Sequence, residues 1–182
     1  MRTADIVPAM LAAAAATALA TGCTSTTEGA ATGTTPTTTA PIEVYNPCTE
    51  LQDQTLTEVG LSPASKDVVT DPPEGPSTWR VCMWRSQDNQ HFVTVFSTSH
   101  TLEEARTNGD SVNQTPTRIG SREALTFFDK AEMDGSSCYA AMGAAQGSFH
   151  VSAAWTIHGD RNRDICDVTT EYATSLESHL PK

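Results

Sequence analysis

Residues 149–157 read Phe149-His150-Val151-Ser152-Ala153-Ala154-Trp155-Thr156-Ile157. In an extended chain Phe149, Val151, Ala153, Trp155 and Ile157 fall on one side, and His150, Ser152, Ala154 and Thr156 on the other. That alternation marks a half-buried antiparallel strand. Residues 137–142, Ser-Cys-Tyr-Ala-Ala-Met, supply a second strand just upstream, so the two predict a hairpin. The end of the second strand of a hairpin returns beside the start of the first. Cys166, just past the turn at Gly159-Asp160, is therefore expected near Cys138. Four cysteines lie beyond residue 42, namely Cys48, Cys82, Cys138 and Cys166, and no CxxC occurs. An even count without CxxC reads as two disulfides when the chain is exported. Of three possible connectivities the hairpin path favours Cys138–Cys166, which leaves Cys48–Cys82.

Outward from the hairpin, residues 79–85 and 92–98 read as strands, the first setting Trp79, Val81 and Met83 against Arg80, Cys82 and Trp84. Thr101-Leu102-Glu103-Glu104 is a capping box opening a short helix that ends by Asn108-Gly109. Residues 117–120 and 125–128 predict strands around a turn. Residues 49–59 predict one or two helical turns closed by Gly60, and residues 68–75 a Pro-rich loop. From Asp164 the period becomes 3.6, with Ile165, Tyr172, Ala173, Leu176 and Leu180 on one face of a last helix. The order of elements predicts an α+β domain over residues 42–182, an antiparallel sheet with helices packed mainly on one face.

The N-terminal part has a different character. Arg2 precedes residues 6–20, an apolar and small-residue run of 15 without a polar face. That length suits the h-region of a signal peptide and falls short of a spanning helix. The run ends Leu19-Ala20-Thr21-Gly22-Cys23, which resembles a bacterial lipobox. The resemblance implies cleavage after Gly22, a signal peptide over residues 1–22, and a diacylglycerol on Cys23 as the membrane anchor. Two acyl chains hold stably where one does not, and Cys23 is the odd fifth cysteine. Residues 24–41 are half Thr and carry no large apolar side chain. They cannot bury enough surface to fold and predict, with Cys23, a tether spanning roughly 20–25 Å as a flexible coil. Thr with Pro also resembles O-glycosylated stalks.

With 22 acidic and 11 basic residues the net charge is −11, and only 6 % of residues are aromatic. That excludes a broad basic nucleic-acid face, and the apolar content of 38 % excludes a polytopic membrane protein. An acidic body is repelled by anionic lipid, so it is expected to stand off the outer face of the membrane.

The ordered set Asn46-Pro47-Cys48, Leu51, Gly60-Leu61, Cys82-Met83-Trp84, residues 119–124 Ile-Gly-Ser-Arg-Glu-Ala, Asp164-Ile165-Cys166 and Leu180-Pro181 resembles the actinobacterial lipoproteins grouped as the domain of unknown function 3558 family. Asn46 stands where that family usually has Asp. The resemblance implies structural cysteines and carries no catalytic residues, because the family has no assigned activity.

Candidate chemistry is thin. Asp160, Asn162, Asp164 and Glu171 follow calcium-loop spacing, but Ile165 occupies the position that needs Gly, and Arg161 and Arg163 intrude. A helix-capping turn explains the same residues, and no metal or cofactor is expected. His150 and His158 stand about 26 Å apart on a continued strand, and a solvated strand face is the expectation for them. No GxSxG, HExxH, SxxK or phosphate loop occurs. Cys138 as a nucleophile would need a free thiol, which the disulfide reading opposes. The expectation is a membrane-anchored extracytoplasmic lipoprotein acting as a non-enzymatic binding or accessory module, its ligand an envelope protein, glycan or lipid. An envelope hydrolase is the alternative. An apolar cleft lined by Trp79, Trp84, Phe127 or Phe128 would indicate a small ligand or lipid, a flat exposed patch a protein partner, and convergent Ser, His and Asp an enzyme.

Overall fold

In the computed structural model, residues 43–72, 77–132 and 134–182 are described. The expectations for the signal peptide, Cys23 and the tether lie outside them, as does part of the Pro-rich loop.

Seven strands form one antiparallel sheet: β1 (Leu61–Thr70), β2 (Trp79–Ser86), β3 (His91–Thr98), β4 (Ser111–Ile119), β5 (Arg122–Asp129), β6 (Ser137–Ala144) and β7 (Gly147–Trp155). Their spatial order is β1-β2-β3-β7-β6-β5-β4, so β7 joins two meanders at the centre. The helices are α1 (Pro47–Glu50), α2 (Asp53–Glu58), α3 (Leu102–Thr107) and α4 (Ile165–Glu177). Leu51 and Leu56, beside and within the first two, pack with Leu176 of α4 against Trp84, Val93, Val95, Met142, Phe149 and Val151. Each large side chain so buried contributes roughly 1.5–3 kcal/mol. On the opposite face, among the described residues, α3 alone packs, setting Leu102 and Ala105 on Leu125, Phe127 and Ala141. The fold is thus the expected α+β sheet with helices mainly on one face.

The β6–β7 hairpin pairs Cys138 with Ala153 and Met142 with Phe149. Both disulfides follow the expected connectivity. Cys48–Cys82 ties α1 to β2, and Cys138–Cys166 ties β6 to α4, with Cα separations of 5.2 and 5.1 Å. Asp164 caps α4 by accepting from the Cys166 amide at 2.7 Å, which is the capping turn expected in place of a calcium loop. Arg163 pairs with Glu171. The capping box of α3 is complete, Thr101 and Glu104 each holding the other's amide.

A buried ion pair locks the end of α4 to the sheet. Arg122 Nε donates to Glu177 Oε1 at 3.0 Å, and its Nη2 donates to the Leu180 carbonyl at 2.6 Å. Lys182 and Arg122 together hold the Glu177 carboxyl down to about 2. Gly120, at φ +57°, turns β4 into β5; a Cβ there would meet Glu177 Oε2 at 2.5 Å. Gly is needed at this position both for the backbone angle and for the ion pair.

Three expectations are corrected. Residues 61–70 form a strand, β1, with only its last part inside the expected loop. As an edge strand it tolerates Pro63 and leaves Val68 and Val69 half exposed. β4 starts at Ser111, well before residue 117. β7 ends at Trp155, so Ile157 does not continue the buried face and is 92 % exposed. The chain leaves the sheet where the Thr156 amide bonds to the Gln90 carbonyl.

Candidate functional site

The face of the sheet away from α4 carries the alternate residues. Register places Phe96 of β3 and Ala141 of β6 on either side of His150 of β7, and sets Phe127 opposite Tyr139. Ala141 is small, so this row dips between its aromatic neighbours. α3 and the turn before it rise along one side. A cleft of about 440 Å³ results, walled by Trp79, Phe96, Phe127, Tyr139, His100 and His150, with Glu104 and Asp129 also lining it. That volume falls in the range of small-molecule sites.

The rings form a connected set. Trp79 meets His100 at 5.6 Å between centroids and His150 edge-on at 6.0 Å. Phe127 stacks on Tyr139 at 5.3 Å and stands edge-on to His150 at 6.0 Å. Such contacts fix ring orientation and contribute about 0.5–1.5 kcal/mol each beyond area burial.

The hydrogen bonds around His150 define its chemistry. Ser148 Oγ lies 2.7 Å from the His100 carbonyl and 3.0 Å from His150 Nε2. A carbonyl only accepts, so the single Ser148 hydroxyl proton goes to it. Nε2 must then be the donor to Ser148, and Nδ1 carries the lone pair. Nδ1 has no hydrogen-bond partner among the described residues. Burial, followed by the nearby His100, pushes the His150 pKa down to about 4. The imidazole is therefore neutral at physiological pH, as the tautomer requires. The Tyr139 hydroxyl donates to Glu132 Oε2 at 3.0 Å, and burial with that carboxylate raises its pKa.

Ser148 and His150 do not form a nucleophile and base. Ser148 is fully buried with its proton committed to a carbonyl, whereas a nucleophile must be reachable by substrate. No group of three or more His, Cys, Asp or Glu able to hold a metal occurs among the described residues. A larger hollow of about 770 Å³ lies around Arg80, Glu43, Glu50 and Asp71. Its buried cation already pairs with Asp71, so it is the weaker site.

Of the four aromatic residues named as alternative linings of a cleft, Trp79 and Phe127 line this one. Trp84 and Phe128 pack on the helical side instead. The expectation of a solvated strand face for His150 and His158 fails for His150, which is enclosed by aromatic rings. His158 lies beyond the end of β7. His100, Phe96, Tyr139, Glu104 and Asp129 were not singled out by sequence. The signal for two of them was present in the alternation: Phe96 and Tyr139, like Phe127, sit on the side opposite the core residues of their strands.

No curated protein and no solved structure matches the chain. The family model described as "Protein of unknown function (DUF3558)" matches residues 18–179, a span that holds every element of the sheet and the whole cleft. The chain belongs to the DUF3558 family.

Proposed function

We propose that this protein is a lipid-anchored module of the cell envelope that binds a small ligand in the aromatic cleft beside α3. The cleft itself is the observation that carries the reading: a hollow of about 440 Å³ with four aromatic walls and a neutral imidazole. An apolar lining with a few placed polar groups suits recognition of a small molecule. Ser148 is buried and Cys138 is held in a disulfide, and the Ser111 hydroxyl, which lines the cleft, makes no hydrogen bond to His100 or His150 among the described residues, so the hydrolase alternative has no nucleophile paired with a base in this cleft. Anchoring rests on the lipobox-like run ending at Cys23, which would hold the domain outside the membrane on the Thr-rich tether.

Two experiments test the two halves. A thermal-shift screen of envelope-derived small molecules against the full chain in detergent should yield stabilising compounds. Their effect should vanish in Trp79→Leu. Stabilisation unchanged in that variant would place the ligand elsewhere. For the anchor, Cys23→Ala should move the protein from the membrane fraction to the medium or leave an uncleaved precursor. Normal processing and retention would rule the anchor out.

A further inference from the structure

The chemistry of the cleft selects a ligand class. The charged groups that line it are the carboxylates Glu104 and Asp129, and no Lys or Arg is among its walls. An anionic ligand would meet two like charges and no cation. Neutral donors in the lining are the Asn108 amide and the Ser111 hydroxyl, while the hydroxyl protons nearest the rings are spent. Tyr139 donates to Glu132 and Ser148 to the His100 carbonyl. Around the rings the character is that of an acceptor: two carboxylates, the Nδ1 lone pair of His150, and the electron-rich faces of Trp79, Phe96, Phe127 and Tyr139. Aromatic faces attract cations, most strongly when the cation is poorly hydrated.

Glu104 is well suited to hold its charge. Its Oε2 accepts from the Thr101 amide at 2.6 Å and from Thr101 Oγ1 at 3.0 Å. These bonds, first the backbone one, lower its pKa, so the carboxylate stays ionised as the capping box holds it in place.

We propose that the cleft binds an organic ammonium cation, its charged head against the aromatic rings and the carboxylates of Glu104 and Asp129. This rests on the reading of the cleft as the binding site and adds the charge of the occupant. A cleft of this volume exceeds a trimethylammonium head, so the natural ligand carries an apolar body as well.

Choline and its uncharged isostere 3,3-dimethylbutan-1-ol separate the two claims. The full chain in detergent is titrated with each at pH 8, followed by tryptophan emission. Choline should bind at least about tenfold more tightly than the isostere, because the shape is shared and only the charge differs. Glu104→Gln keeps the capping box, since Gln serves there as Glu does. That variant and Asp129→Asn should each weaken choline several-fold and leave the isostere unchanged. Equal affinity for the two compounds, or choline binding indifferent to both variants, would overturn the ammonium assignment while the cleft could still bind neutral ligands. Absence of choline binding, with a screened neutral compound still lost in Trp79→Leu, would overturn it in the same way. Choline affinity unchanged in Trp79→Leu would overturn both the assignment and the site.

Discussion

Along β7, Phe149, Val151 and Ala153 are sealed beneath α4 with no exposure. One residue away on the same strand, His150 faces a hollow ringed by Trp79, Phe96 and Phe127. The helical face is closed by three helices, two disulfides and a buried ion pair. Among the described residues the opposite face has one short helix, no disulfide and a cleft. Strand alternation is what keeps the two apart, because every residue is committed to one side. The helical face accounts for stability, and the open face is free to carry recognition.

The sharpest way to break this comparison is to remove the covalent ties, since both belong to the helical face. Their sequence separations of 34 and 28 residues give each a loop-entropy value of about 3.5–4 kcal/mol. A domain of this kind holds roughly 5–15 kcal/mol in all. Reduction of both should bring it close to unfolding, read as a large fall in the urea midpoint with reductant. A midpoint unchanged on complete reduction would mean that the helical face does not depend on them.

Cavities come next. Phe149→Ala should cost about 3–5 kcal/mol, as for a buried aromatic in a closed core. Trp79→Leu on the open face should cost less, about 1–2 kcal/mol, since part of the ring is already exposed and Leu keeps some of its apolar contact. Equal losses in urea denaturation would erase the distinction between the faces.

Acid should sharpen it by separating two windows. The His150 pKa is lowered in the folded protein, so the unfolded chain takes up that proton first. Stability is therefore full above about 6.5 and falls as pH drops from 6.5 to about 4, by roughly 3 kcal/mol. His91, buried near Trp155 and Tyr172 on the helical face, is lowered as well and adds to the same slope. His150→Gln should remove the larger part of it. The lowered pKa of Glu177 acts at more acid pH. Its contribution is present above about 4.5 and is lost as pH falls from 4.5 towards 2, and Glu177→Gln should flatten only that second decline.

The sequence made the closed face more legible than the open one. The β6–β7 hairpin, both disulfides and α4 follow from apolar periodicity, because a sealed core demands it. The outer strands β1 and the first half of β4 escaped because each is paired on one side only. Pro63 and Pro116 are tolerated there, and no apolar pattern is required. The cleft escaped for a different reason. His150, Ser152 and Ala154 read as a polar stripe, and enclosure comes from Phe96, Phe127 and Trp79 on other strands. Only register brings those rings to His150, and register between distant strands is not written in local sequence. In the sequence Trp84 and Phe128 stand beside Trp79 and Phe127 as alternative linings, and alternation lets only one of each pair face a given side of the sheet.

The three tryptophans divide between the faces, which permits one direct test. Trp84 and Trp155 belong to the helical core and Trp79 to the cleft. Indole N–H signals of the ¹⁵N-labelled full chain are followed during titration with choline. The division of the two faces predicts that the Trp79 signal moves with saturation while those of Trp84 and Trp155 stay fixed. Movement of Trp84 or Trp155 with Trp79 unchanged would contradict it.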